Sequence, residues 1–236
     1  MTLPKMNQPT HELTLPISKI KVSFRPFLVK EEKLLLLAAA GKEQVEITNA
    51  IRQVVNNCLL TQKSGFGVET MAAVDMDYLF LNMRAKSIGD KIEQEFTCNN
   101  LVEDKRCGHV FVVPLSVSDV VVTKGPANDK IKLNETTGVK MKHPKFKTYD
   151  VENPDVGTDM LIDCMESMWD AEQTYAFREQ SKEEIMEWLD GLTKAQFQLL
   201  QDWYDELPTL ELHKSFECSK CGFKHEMRLD DPLSFF

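Results

Sequence analysis

No apolar run in these 236 residues reaches membrane-spanning length, and the first twenty-one positions carry Pro4, Pro9 and Pro16 where a signal peptide would need an apolar core. The expectation is a protein made and kept in the cytoplasm. Basic residues are in short supply. With 28 Lys and Arg against 37 Asp and Glu, the net charge is −9, and such a chain has no general attraction for a phosphate backbone. Catalytic signatures are missing too: there is no Gly-rich phosphate loop, no G-x-S-x-G, no H-E-x-x-H and no Cys/His nucleophile arrangement. Nothing asks for catalysis. With 42% hydrophobic and 28% charged residues, the composition also excludes a disordered chain and allows a sizeable buried core.

Cysteine is the informative residue. Phe216-Glu217-Cys218-Ser219-Lys220-Cys221-Gly222 places two thiols two residues apart, closed by a glycine. Alternating residues flank it, Leu210, Leu212, Phe216 and Cys218 before, Phe223, His225, Met227 and Leu229 after, so two strands meet at a tight thiolate turn. One such knuckle supplies two ligands, whereas structural zinc is tetrahedral and takes four. The matching half lies upstream, where Phe96-Thr97-Cys98 and Cys107-Gly108 repeat the pattern Phe-x-Cys then Cys-Gly, although eight residues separate these two thiols. The economical reading is one Zn2+ held by Cys98, Cys107, Cys218 and Cys221. Two other readings stay open: core thiols with a chance pair, or a disulfide in an exported chain. His109 and His225 read as strand residues beside the site, able to stand in as ligands. Cys58 and Cys164 fall on apolar helix faces and are expected to be buried free thiols.

The chain reads as α+β: a small zinc-ribbon-like antiparallel β unit built from two distant knuckles, with N-terminal helices and an inserted three-helix unit. Residues 1–16 are expected to be an extended arm and 17–90 a mostly helical region. The β unit is expected to comprise 91–152 with 207–236, leaving 153–206 as the inserted helices. Helices are expected over 30–40, where a buried strand is the alternative, 43–59 and 68–85. Asp75 and Asp77 are two apart, so on a helix they do not face each other; they are expected to be surface charges and not a metal pair. Met160, Leu161, Cys164, Met165 and Met168 share one helical face, and Ser181-x-x-Glu184 and Thr193-x-x-Gln196 are capping boxes opening two more helices. The basic run from Lys140 to Lys147 reads as a solvated strand face or a contact for an acidic partner.

The inserted helices hold more large aromatics than a small bundle needs. Trp188 and Phe197 fall at core spacing, while Trp169, Trp203 and Tyr204, with Phe235 and Phe236 in the tail after Asp230-Asp231-Pro232, are the candidates for binding a partner.

Several stretches together resemble one known family. They are Arg25-Pro26-Phe27 leading to Glu31-Glu32-Lys33 and a Leu/Ala block, Asp77-Tyr78-Leu79-Phe80 followed by Arg84-x-x-Ser87-x-Gly89, the cysteine knuckles, Glu183-Glu184 to Leu189 with Leu192 and Phe197, and the closing Phe235-Phe236. In order and in kind they are similar to the baseplate hub proteins of T4-type bacteriophages. The resemblance implies a viral structural or assembly protein of a contractile tail, without enzyme activity, with other phage tail and baseplate hub proteins as partners. It places the protein in the host cytoplasm during assembly and leaves open whether it stays in the virion. The competing reading, from the knuckles alone, is a zinc-ribbon nucleic-acid-binding or transcription-associated module, against which the acidic balance counts.

Overall fold

The computed structural model describes residues 6–61, 63–150 and 152–229, and among these it contains six α-helices and several small antiparallel sheets. The chain divides into two units. The first comprises the segment up to Val68, Val74–Thr123 and the segment from Thr209 onward; the second comprises Glu69–Ala73 with Lys124–Pro208.

In the first unit, β1 (His11–Thr14) pairs antiparallel with β2 (Lys21–Phe24), so the end of the expected arm is a strand, with Leu13 opposite Val22. Three helices follow, α1 (Val29–Gly41), α2 (Gln44–Cys58) and α3 (Ala73–Ile88). The amphipathic α2 buries Ile51, Val54, Val55 and Cys58, as its spacing predicts. The expected helix over 68–85 begins instead at Ala73, after a 3-10 turn at Val68–Thr70.

Asp75 corrects the sequence reading. It is fully buried on α3, and its two carboxylate oxygens accept the backbone N–H groups of Ile17 (2.7 Å) and Ser18 (2.9 Å). A carboxylate can leave water when donors replace the lost hydration, and here the turn between β1 and β2 supplies them.

Beyond α3 come β3 (Lys91–Thr97), β4 (Leu101–Val102), β5 (Lys105–Arg106), β6 (Val110–Ser116) and β7 (Val121–Val122). β3 pairs with β6 in a register that sets Phe96 opposite Phe111, and β4 pairs with β5.

The second unit contains β8 (Lys130–Lys132), β9 (Gly138–Met141), α4 (Val156–Cys164), β10 (Met165–Trp169), β11 (Thr174–Ala176), α5 (Lys182–Asp190) and α6 (Lys194–Asp205). The four strands form one sheet in the order β11-β10-β9-β8. Residues 124–152 therefore group with the helices by contact, and the inserted region is not purely helical. Met165 and Met168, expected on the face of a helix, lie on a strand. The strand forms by pairing with β9 and β11, and a β-bulge between Met165 and Ser167 keeps positions three apart on one side, so both methionines still pack with the core of Val139, Leu161, Cys164 and Leu200. Both expected capping boxes are formed, Ser181 with Glu184 and Thr193 with Gln196.

The chain then returns to the first unit as β12 (Leu210–Glu217) and β13 (Lys224–Leu229), antiparallel, with β7 added to the far side of β12. Leu210 and Leu212 pack with Leu81, Ile92, Val113, Leu115 and Val117, so the two distant hairpins share one apolar core. That core fixes where the hairpin tips meet.

Candidate metal centre

Each cysteine pair sits where a hairpin turns. Cys98 follows β3 and Cys107 precedes β6; Cys218 follows β12 and Cys221 precedes β13. The two turns are built alike. Gly108 donates its N–H to the Cys98 carbonyl (3.0 Å) as Gly222 does to that of Cys218 (2.8 Å), while Cys98 N–H donates to His109 O (2.8 Å) as Cys218 N–H does to Phe223 O (2.9 Å). Both glycines have positive φ, 61° and 70°, the backbone region that a residue with a Cβ occupies at a cost.

The wide upstream gap has a local explanation. Between Asn100 and Cys107 the chain makes its own small hairpin, β4 and β5 joined through Glu103 and Asp104 in the left-handed region. Residues 101–106 are thus extruded from a knuckle that otherwise matches the downstream one.

The four sulfurs lie within 4.8 Å of one another, with Cys98 Sγ 3.7 Å from Cys221 Sγ and Cys107 Sγ 3.9 Å from Cys218 Sγ. Four thiolates about 2.3 Å from a tetrahedral ion would stand roughly 3.8 Å apart. The spacing is that of a metal-holding set, and all four cysteines are free. Cys98 and Cys218 are buried, and Cys107 and Cys221 partly so.

The electrostatics are uneven. The Phe223 backbone N–H is the main influence pulling the Cys221 thiol down to about 6, helped by Asn100, whose side-chain N–H reaches its sulfur at 3.6 Å. Burial, reinforced by the neighbouring sulfurs, pushes Cys98 up to about 12. A cation among them would favour the thiolate form of each.

Around the thiols stands an aromatic layer. Phe96, Phe111 and Phe216 are in mutual ring contact, and the buried His225 packs against Phe96, Phe216 and Phe223 with Nε2 3.2 Å from Cys98 Sγ. The sequence reading of His225 as a strand residue beside the site matches its place on β13. His109 instead has Nε2 2.9 Å from Ser219 Oγ, tying one knuckle to the other.

The residues expected to bind a partner are dispersed. Trp169 lies over Gly138, where an added Cβ would collide with the indole. Trp203 is a core residue whose Nε1–H donates to Asn128 O (2.9 Å), and so is not an exposed anchor. Tyr204 is half-buried against the same core. Phe235 and Phe236 lie outside the described residues. In the basic run, Lys140 is paired with Glu166 and Lys147 with Asp163, which removes half of the charge offered to a partner.

A second cluster was not anticipated from the sequence. Arg25 Nη2 donates to Glu31 Oε1 (3.0 Å) and to Asn57 O (3.1 Å), and Leu28 N–H donates to Glu31 Oε2 (2.8 Å). Phe27 N–H donates to Ser87 Oγ (2.9 Å), and Arg84 Nη1 to Gly89 O (2.9 Å). The segment before α1 is thus tied to α3 by the Phe27–Ser87 hydrogen bond and to the end of α2 through Arg25, while Arg84 closes the C-terminal end of α3 itself. Charged residues in a short motif signal only that something pairs with them, and the long-range partner shows only in the fold.

A family profile described as T4 bacteriophage base plate protein matches residues 8–236. The chain belongs to that family. No curated protein and no solved structure gives a significant match. For this base plate protein the knuckles are one part of a matched whole. Among the described residues no helix is long and apolar enough to cross a membrane.

Proposed function

We propose that this base plate protein is a non-enzymatic structural or assembly component of the central hub of a contractile phage tail, acting in the host cytoplasm, and that one structural zinc held by Cys98, Cys107, Cys218 and Cys221 ties its two hairpins together. The observation that carries the function is the family match over residues 8–236, which takes in nearly the whole chain. The hub assignment has narrower support. The stretches that resemble hub proteins include Arg25 and Glu31, which pair with each other, and Phe27 and Ser87, which tie the segment before α1 to α3.

The zinc reading rests on chemistry. Four cysteine sulfurs at tetrahedral spacing suit a closed structural site, whereas catalytic zinc keeps a position for water. When bound, zinc would supply cross-linking and charge neutralisation. The protein's own residues do the rest: the Phe223 backbone N–H and the Asn100 side chain hold the Cys221 sulfur, and the phenylalanine layer packs the two hairpins together beside it.

A role in assembly also accounts for α1. Its Leu/Ala block is apolar on every side, with Leu36 63% and Leu37 72% exposed, and a helix of that kind is normally covered. We place further partner contacts at Trp169, Tyr204 and the terminal Phe235 and Phe236. Affinity capture of the tagged protein from infected cells should recover hub proteins, less efficiently after removal of residues 234–236. Recovery of nucleic acid or of host proteins alone would overturn the assignment.

A further inference from the structure

The second unit contains a cavity of about 270 Å³ between β10, β11 and α5. It is smaller than the pockets that hold drug-sized molecules and suits one side chain. Its walls are aromatic and soft: Tyr175, Phe177, Trp188 and Met168, with Phe177 and Trp188 edge to face at 5.7 Å between ring centres. Its rim carries two carboxylates, Asp170 and Glu184.

Both carboxylates are held in place by the chain. Asp170 Oδ1 accepts the N–H groups of Glu172 (2.8 Å) and Gln173 (2.9 Å), and Oδ2 accepts the Tyr175 hydroxyl (3.2 Å). The Gln173 and Glu172 amides hold Asp170 below the usual aspartate range, so it is ionised at neutral pH. Glu184 Oε2 accepts the Ser181 N–H (2.8 Å) in the capping box. A carboxylate offers about four acceptor directions, and these bonds occupy three on Asp170 and one on Glu184.

The surroundings are one-signed. Residues 166–190 contain eight carboxylates and two cations. Both cations are engaged, Lys182 with Asp159 at 2.6 Å and Arg178 toward Glu179 at 3.6 Å. About a tenth of the chain thus carries eight of its 37 acidic groups, of which Asp170 and Glu184 line the aromatic-walled opening and Glu166 is paired with Lys140.

We propose that this cavity receives an arginine side chain of a partner protein, the guanidinium lying against Trp188 and Tyr175 and donating to Asp170 and Glu184. Arginine is favoured over lysine because its planar cation stacks on aromatic rings while presenting donors in a fork. The inference rests on the hub reading for the partner's identity and not for the chemistry.

The test separates the two. The probe is the blocked peptide acetyl-Gly-Gly-Arg-Gly-Gly-amide, titrated into the full-length protein while the indole N–H signal of Trp188 is followed by NMR, assigned by its loss in Trp188→Phe. The arginine peptide should shift that signal saturably. Its neutral citrulline counterpart should bind at least about tenfold more weakly, as should the arginine peptide to Asp170→Asn, a variant whose fold is checked by its melting curve. No shift, equal binding of citrulline, or unchanged affinity in Asp170→Asn overturns the site. In capture from infected cells, hub proteins retained equally by wild type and Asp170→Asn would also overturn it while leaving the hub reading intact. If wild type captures no hub protein, the hub reading falls and the peptide titration decides the site.

Discussion

The carbonyl oxygen of Asn100 accepts the N–H of Cys107 at 2.8 Å, across a six-residue hairpin that leaves the knuckle and returns to it. The eight-residue gap is therefore a two-residue gap with an excursion. Deleting residues 101–106 should give a variant that reads Cys-Asn-Asn-Cys-Gly and binds metal as the full chain does. Elemental analysis should find the same stoichiometry, and the melting temperature should move by no more than a few degrees, since Leu101 and Val102 are exposed. Loss of metal would show that the hairpin shapes the site.

The metal itself should matter far more. Cys107 and Cys218 are 111 positions apart, so metal binding closes a long loop and its free energy becomes folding free energy. One zinc per chain is expected in chelator-free preparations. Chelation, or Cys221→Ser, should cost on the order of 5 kcal/mol, roughly 10–20 °C in the melting of the cysteine-bearing unit. Metal-free protein with an unchanged melting curve would reject the structural role.

Asp75 offers a test away from the thiols. Asp75→Ala leaves the Ile17 and Ser18 N–H groups without their acceptor and should destabilise by about 2 kcal/mol or more. Asp75→Asn keeps one acceptor oxygen and should cost less. Urea unfolding of the pair measures the difference, and equal losses would mean that packing, and not hydrogen bonding, is what Asp75 provides.

The Arg25–Glu31 pair predicts an acid limb. Burial raises the pKa of Glu31, but hydrogen bonds from Arg25 and Leu28 outweigh it and hold the carboxyl below its ordinary value. A depressed folded-state pKa contributes stability above the ordinary glutamate range, and that contribution is lost as pH falls through the lowered value. Stability of the wild type should therefore fall between about pH 5 and the depressed pKa more steeply than that of Glu31→Gln. Parallel pH profiles by denaturant unfolding would remove Glu31 from the acid response.

What could be read in advance was local. Cys218 and Cys221 between alternating strands announce a thiolate turn because strand parity and turn chemistry act within a few residues. The same holds for α2 and for both capping boxes, where the donor and its acceptor are three residues apart.

The sequence by itself determined the thiol knuckles, the starts of α1, α2, α5 and α6, the buried Cys58 and Cys164 and the acidic balance, because each depends on spacing or composition along the chain. The tertiary structure alone decided where the partners came from. Met165 and Met168 have helical spacing but lie on β10, because β9 and β11 were available to pair with it and a bulge preserved the buried side. Asp75 looks like a surface charge until the turn at Ile17 and Ser18, 58 and 57 positions away, supplies its donors. Long-range pairing is selected by the whole set of competing contacts, and no window of neighbouring residues contains that information.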